Sequence, residues 1–438
     1  MAHALYDRIW TAELAGHVGE RVVLRGWLHR FRQLSEVSFL IVRDARGIAQ
    51  VVITDPAVVG QVASLVNDSV IAVTGTVTAV EQAPNGVELH DPEVVVLCEA
   101  EEPPPFDLYR PVIKAQLPTI LDAAPVALRH PRLRAYFQMQ AASMAGFRHS
   151  LEKHSFTEIQ TPKIVSSATE SGATTFTLDY FGRRAYLAQS PQFYKQIMVG
   201  VFERVYEVGP VFRAEPHDTA RHVNEYVSLD AEMGFIDDEY TVMSVLTTVL
   251  AGMMGGLEGH ARAALDVLKV ELPDVPDVVP DIHFSEAQAL ITAATGEDLA
   301  NEPDLSPANE RWLGEWALRE HNSAFVFIRG YPIRKRPFYT HPDPSRPGFS
   351  RGFDLLFRGV ELVTGGQRLH RYADYVAALT ERGDNPEHYA EYLMAFRHGM
   401  PPHGGFAIGL ERFVARLVNA QNIRETTLFP RDINRLAP

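Results

Sequence analysis

A run of prolines cuts this chain in two. Glu101-Glu-Pro-Pro-Pro105, followed by Pro111, Pro118 and Pro125, is too dense in proline for a helix or an inner strand, because each ring fixes φ and removes a backbone donor. It reads as a semi-rigid linker over 105–131, with one domain before it, 1–104, and a larger one after it, 132–438. Whatever folds on either side must bury its own core. With 46% hydrophobic and 22% charged residues among 438, both sides have the material for one.

The N-terminal segment alternates with period two in Arg21-Val-Val-Leu-Arg25-Gly26-Trp27-Leu28, Ser38-Phe-Leu-Ile-Val42 and Ile48-Ala-Gln-Val-Val-Ile53, and again over 70–77 and 87–97. Asp44-Ala-Arg-Gly47 supplies a hairpin turn, and Pro84-Asn85-Gly86 joins the last two runs. Five short strands predict a small closed barrel. The OB-fold is the usual five-stranded barrel that holds oligonucleotides, and an SH3-like barrel fits the same periodicity. Beyond the linker, a helix-like stretch at 136–154 leads into strand-like 156–165, and antiparallel-looking strand pairs then mix with helices. Regular βαβ alternation is missing, which disfavours a doubly wound parallel sheet and makes the fold class α+β. Residues 236–325 carry few chemical signals and are expected to be helices packed around the sheet.

Composition narrows the function. The single cysteine, Cys98, allows no disulfide framework and no cysteine-based metal site, so the cytoplasm is the expected compartment. Asp7, Arg8 and Glu13 stand where a signal peptide needs an apolar core, so no secretion is expected. The longest uncharged stretch, 240–257, approaches membrane-spanning length but holds Thr241, Ser244, Thr247, Thr248 and three glycines; a packed helix and no membrane partner are expected. A net charge of −14 argues against a generic polyanion binder, so any RNA contact must be local. Between Arg21 and Gln50 six arginines stand against two acids, a local balance of +4, although a solvated strand face would look the same.

The richest chemistry lies in Val208-Gly-Pro-Val-Phe-Arg213-Ala-Glu215 and the residues that follow it to Glu232. A strand is predicted to end at Arg213 and, after a polar loop, a second to return with Tyr226, Ser228, Asp230 and Glu232 on one face and Val227, Leu229 and Ala231 on the other. That polar face is either a solvated sheet surface or a site. Further on, Gly404-Gly-Phe-Ala-Ile-Gly409-Leu-Glu-Arg412-Phe is a glycine-rich strand turning into a helix, without dinucleotide spacing and without a P-loop Gly-Lys-Ser/Thr.

Together, Phe212-Arg213-Ala-Glu215 and Gly409-Leu-Glu-Arg412 resemble motifs two and three of the class II aminoacyl-tRNA synthetases. Residues 156–165, with Pro162, resemble motif one, the dimer-forming element. Gln189-Ser-Pro-Gln192-Phe-Tyr-Lys195, Phe353-Asp354-Leu-Leu-Phe and Val360-Glu361-Leu-Val-Thr364-Gly-Gly-Gln-Arg368 narrow the resemblance to the aspartyl-tRNA synthetases of the compact archaeal type, from about residue 20 to Pro430. The resemblance implies an N-terminal five-stranded OB-fold β-barrel that binds the anticodon, a hinge, and a class II catalytic domain with an antiparallel sheet and flanking helices. It also implies a homodimer and a ligase that makes aspartyl-adenylate from ATP and L-aspartate and passes the amino acid to tRNA.

Roles carry over by resemblance. Arg213, Glu361 and Arg412 form the catalytic set. Arg213 holds the α-phosphate beside the amino-acid carboxylate, while Arg412, Arg221 and His222 hold the β and γ phosphates. Glu215 accepts the adenine amino group, Tyr226 stacks on the ring, and Val223 and Gly409 complete the ATP site. Asp354, Glu361 and the Thr364 hydroxyl are the implied Mg2+ ligands, with salt-bridged sheet carboxylates as the alternative. No covalent nucleophile is needed, because fixed positive charge and positioning do the work. Lys195 and Arg368 resemble the clamp on the substrate β-carboxylate; Glu170 binds the α-ammonium from a loop, with a plain surface-loop glutamate as the alternative, and Gln192 and Thr364 complete the aspartate pocket. A neutral amide is expected to leave two buried cations underpaired, which would exclude asparagine.

In the barrel, Arg25, Arg32, Phe39 and Gln50 are types that stack on and hydrogen-bond to splayed bases, and Trp27 suits either that face or the core. His29 and Pro84 stand where archaeal-type enzymes restricted to tRNA-Asp differ from those that also charge tRNA-Asn, and they resemble the relaxed version. Both tRNAs are then partners, with an amidotransferase downstream. Three rivals stand beside this reading. Lys195 disfavours an asparaginyl-tRNA synthetase, and Arg213, Glu361 and Arg412 together disfavour a synthetase-like RNA-binding protein without catalysis. An ATP-dependent asparagine synthetase would need no anticodon barrel.

Overall fold

The computed structural model describes residues 8–166, 175–216 and 218–437. They fall into two compact units, the first ending at Arg134 and the second beginning at Ala135.

In the first unit, β1 (Arg21–Gln33), β2 (Ser38–Arg43), β3 (Ile48–Ile53), β4 (Val70–Ala79) and β5 (Val87–Cys98) close a barrel in the order β1-β2-β3-β5-β4. The parallel contact of β3 with β5 completes it, and a helix, Pro56–Ala63, runs between β3 and β4. This is the OB-fold. Alternate residues, among them Leu24, Leu28, Leu40, Val42, Val51, Ile71 and Leu89, point inward and leave water entirely. The hairpin turn forms as its sequence predicts: the Asp44 carboxylate accepts from the backbone N–H of Arg46 and Gly47 at 2.7 and 3.0 Å.

β1 is irregular between Leu28 and Arg30. There His29 is buried, its Nδ1 3.1 Å from the buried Arg43 guanidinium. Burial, and then Arg43 itself, push the His29 pKa down to about 4, so the ring is neutral and accepts from the arginine. Arg43 also donates to one oxygen of Asp68 at 3.0 Å, and Arg129 to the other at 3.0 Å. The proline-rich stretch is less irregular than expected. It contains two short helices, Leu117–Asp122 and Ala124–Ala127, because Pro118 and Pro125 sit in first turns, where a missing N–H costs nothing.

The second unit is built on an eight-stranded sheet. Its strands are β6 (Thr157–Glu158), β10 (Arg204–Phe212), β11 (Glu225–Gly234), β12 (Asp281–His283), β13 (Phe325–Arg329), β14 (Gly352–Phe357), β15 (Val360–Gln367) and β16 (His403–Gly409). They lie in the order β12-β13-β14-β15-β16-β11-β10-β6, antiparallel except at the two edges. A small sheet of β7 (Ile164–Val165), β9 (Arg183–Leu187) and β8 (Thr177–Tyr180) stands apart. The stretch 156–165, expected as one strand, is split between β6 and β7, with Pro162 in the gap. Helices do fill most of 236–325, but three-residue β12, too short to show a period, was not foreseen. Helix Glu239–His260 is long and apolar enough to cross a membrane, yet Val242, Leu246, Val249, Leu250, Met253 and Leu257 are buried within the unit.

The Arg43–Asp68 pair predicts a stability effect. Asp68→Ala leaves a buried guanidinium without its carboxylate and should lower the stability of the first unit by about 3 kcal/mol in urea denaturation, whereas an unchanged midpoint would show the pair to be inert.

Candidate active site

The polar face of β11 is not a solvated surface. Ser228, Asp230 and Glu232 are all buried, because β11 lies inside the sheet between β10 and β16 and helix Gln192–Phe202 packs on it. That helix buries Gln192, Lys195, Gln196 and Val199, a helical repeat whose inner face is mostly polar. Lys195 Nζ lies 3.0 Å from Asp230 and 3.3 Å from Glu232, and donates to the Phe406 carbonyl at 3.3 Å. At the end of β15, Arg368 Nε donates to Glu232 at 3.0 Å and Nη2 to the Gly405 carbonyl at 3.1 Å. Ser228 Oγ donates to Asp230 at 2.5 Å. Burial opposes charge on Glu232, but Arg368 and then Lys195 outweigh it and hold its pKa below the usual value. A Cβ at position 405 would lie 2.1 Å from the Glu232 carboxylate, so the glycine-rich strand serves close approach rather than a phosphate loop.

This corrects one expectation. Lys195 and Arg368 are not two unpaired cations awaiting a substrate; Asp230 and Glu232 already balance them, because a lone buried charge is too costly to keep. Gln196, absent from the sequence reading, locks the helix in place: it accepts from Gln192 and Tyr392, each at 3.0 Å, and donates to Tyr375 at 3.1 Å.

Beside this pocket lies a second one. β10 ends at Phe212, and Arg213 opens the loop half-exposed, 4.0 Å from Glu215 and 5.7 Å from the Tyr226 ring. Asn224, another residue not foreseen, ties down the loop base by donating to the Arg213 and Glu215 carbonyls at 2.7 and 3.1 Å. Arg221 approaches Glu310 at 3.9 Å, and His222 approaches Glu215 at 3.8 Å. Val223 is buried beneath. Gly409 caps helix Leu410–Leu417, whose Arg412 donates to the Glu361 carbonyl at 3.0 Å. Arg213, Tyr226, Ser228 and Thr364 line both pockets, so Arg213 stands at their junction.

The acidic side comes from β14 and β15. Asp354 faces Thr364 across the ladder, and the register shift after Leu355 leaves Leu362 unpaired. The extra residue brings Glu361 and Thr364 onto one face, where the Thr364 hydroxyl donates to Glu361 at 3.0 Å. Arg336, also unforeseen, donates to one Asp354 oxygen at 2.8 Å, while the other is buried without a hydrogen-bond partner among the described residues. Burial, and next Asp354, push the Glu361 pKa up to about 7. Crowded carboxylates with an orphan buried oxygen fit a cation. Among the described residues no three His, Cys, Asp or Glu side chains form a closed metal site, which suits an ion that keeps waters and phosphates as its other ligands.

On the barrel, Arg32 pairs across β1 and β2 with Phe39, and Ile41 with Gln50 across β2 and β3; all four lie on the outward face, with Arg25 and a half-buried Trp27 further along β1. The +4 balance shrinks there: Arg21, Arg43 and Arg46 are paired with Glu93, Asp68 and Glu13. Pro84 opens the turn between β4 and β5. Glu170 lies outside the described residues.

The family model for tRNA synthetases class II (D, K and N) matches residues 117–433, and that for the OB-fold nucleic acid binding domain matches 22–97. The aspartate–tRNA(Asp/Asn) ligase of Thermus thermophilus is 44% identical, over 98% of this chain and 100% of its own length. The chain belongs to the class II aspartate–tRNA ligases. Among these ligases, the aspartate–tRNA(Asp) ligase of Thermococcus kodakarensis is 39% identical over 99% of this chain and 100% of its own. The asparaginyl-tRNA synthetase of Pyrococcus horikoshii, solved with asparaginyl-adenylate, superposes with a TM-score of 0.91 at 29% identity, covering 99% of this chain and 100% of that one.

A buried carboxyl lining the second pocket predicts a pH effect. Glu411 accepts the Val227 N–H at 3.1 Å, and burial pushes its pKa from 4.5 up to about 7. The folded chain therefore holds this proton more tightly than the unfolded one, so the contribution is fully present below pH 4.5 and is lost as pH climbs to about 7, by an amount on the order of 3 kcal/mol. Glu411→Gln should flatten that fall in thermal melts between pH 5 and 8; parallel curves for the two proteins would show that Glu411 is ionised throughout.

Proposed function

We propose that this ligase activates L-aspartate with ATP and charges both tRNA-Asp and tRNA-Asn. The observation that carries the reading is Lys195, buried in the amino-acid pocket against Asp230 and Glu232. Because the four charges already balance, selection rests on the direction of hydrogen bonds. Arg368 spends two of its five N–H groups on Glu232 and Gly405, leaving donors for a carboxylate. Asparagine would bring an NH2 group that needs an acceptor. The one at hand is Glu232 Oε2, which has no hydrogen-bond partner among the described residues but lies 3.3 Å from Lys195 Nζ. The ammonium competes for that oxygen, and a charge-blind pocket becomes selective for aspartate.

Adenylation joins an aspartate α-carboxylate oxygen to the α-phosphorus, and the bond to the bridging oxygen breaks, its electron pair leaving with pyrophosphate. Arg213, at the junction of the pockets, offsets the repulsion between the two anions. Arg221, His222 and Arg412 take the outer phosphates; Glu215, Tyr226, Val223 and Gly409 take the adenosine. Gln192 and Glu170 orient the amino acid. Asp354, Glu361 and Thr364 would hold Mg2+, which supplies charge neutralisation at the phosphates. The outward barrel face receives the anticodon through Arg25, Arg32, Phe39 and Gln50, with His29 and Pro84 setting a relaxed choice of the third base. A homodimer through 156–165, a cytoplasmic setting and an amidotransferase acting on Asp-tRNA-Asn complete the proposal.

ATP–pyrophosphate exchange tests the amino-acid choice: aspartate should support exchange and asparagine should not. Lys195→Met should lower aspartate kcat/KM by about a hundredfold or more and narrow its advantage over asparagine; full aspartate activity in that variant would overturn the assignment. In charging assays tRNA-Asn should be used with an efficiency near that of tRNA-Asp, and a deficit on the order of a thousandfold would make the enzyme a discriminating one.

A further inference from the structure

A third cavity, of about 410 Å³, adjoins the nucleotide pocket on the side away from the amino acid. It shares Arg221, Arg412 and Ile423 with the nucleotide pocket and no residue with the amino-acid pocket. Its own contribution is Arg416, one turn along helix Leu410–Leu417 from Arg412, and Asn419 and Gln421 just beyond. Among the described residues no Asp or Glu lines it.

The unbalanced charge in this cavity is Arg416. Arg416 Nη2 donates to the Arg358 carbonyl at 2.6 Å, while its Nε is buried with no hydrogen-bond partner among the described residues. Burial, then Arg358 and Arg221, push the Arg416 pKa down, and no acid opposes them. The two shared arginines have acids of their own: Arg221 is 3.9 Å from Glu310, and Arg412, which donates to the Glu361 carbonyl, feels the charges of Glu310 and Glu361. Arg416 is left as the cation without an acid, and a cavity lined by it suits an anion.

Geometry names the anion. On the adenylation reading above, the attacking carboxylate enters from the Lys195 and Arg368 side, and phosphoryl transfer sets the leaving group in line, opposite the nucleophile. The diphosphate therefore departs toward Arg221 and Arg412, and the cavity they share is the next space it meets. We propose that this cavity is a pyrophosphate subsite, with Arg416 as the residue that receives the leaving diphosphate after its bond to the α-phosphorus has broken.

The test uses the full-length enzyme and inorganic pyrophosphate as its magnesium salt, with Kd measured by calorimetry and KM in ATP–pyrophosphate exchange. Arg416→Gln removes the cation, and Asn419→Asp adds an anion while leaving the bond between Arg416 and Arg358 intact. Each should weaken pyrophosphate about tenfold by both measures and leave the KM for ATP within about twofold. Unchanged pyrophosphate constants overturn the proposal, as does a change confined to Arg416→Gln, which would mark a structural arginine. A parallel rise in the KM for ATP overturns it too, since the cavity would then be part of the triphosphate site. If aspartate supports no exchange, the adenylation reading fails alone, and calorimetry still judges the subsite.

Discussion

Four charged groups sealed from water, Lys195, Asp230, Glu232 and Arg368, bind together three parts of the catalytic unit. They come from helix Gln192–Phe202, from β11 and from the end of β15, with carbonyls of β16 accepting from both cations. Any one of them alone would be too costly to bury, so helix, strands and glycine-rich neighbour are tolerable only in this mutual register. Gly405 is the visible consequence, because no side chain fits where Glu232 passes the strand.

From that centre the remaining chemistry is arranged by sign. Positive groups stand on the loop after β10 and on the first turn of helix Leu410–Leu417, and negative groups on β14 and β15, where an unpaired Leu362 turns Glu361 toward Thr364. Arg213 sits where the two pockets meet, and on the proposed function a guanidinium there reaches both anionic reactants. Asn224 and Glu411 fix the backbone on either side of Tyr226, the first by donating to two loop carbonyls and the second by accepting the Val227 N–H.

Legibility in the sequence followed the range of the interactions. Strand alternation is local, so the barrel, its hairpin at Asp44 and its inward residues could be read directly. The residues now lining the two pockets were legible through ordered motifs that resemble a known family. Pairing across the sheet was not. Glu232 and Asp230 showed only as polar positions on an alternating strand, and nothing local says that Lys195, 35 residues away from Asp230, neutralises it. Arg336 lay in a cation-rich run that could have drawn notice, whereas Glu310 and Gln196 are ordinary helical residues until the fold places them. His29, read as an anticodon determinant, lies buried against Arg43, which is itself buried and paired with Asp68, so the ring belongs to a buried network that no strand alternation reveals.

The central claim is that a substrate carboxylate meets the donors left over by a neutral, buried quartet. A crystal structure of the protein with a non-hydrolysable aspartyl-adenylate analogue tests it most directly. The side-chain carboxylate should lie within hydrogen-bonding distance of both Lys195 and Arg368, with Asp230 and Glu232 still paired to them. A ligand carboxylate bound elsewhere, or a Lys195 side chain turned out of the pocket, would contradict the account.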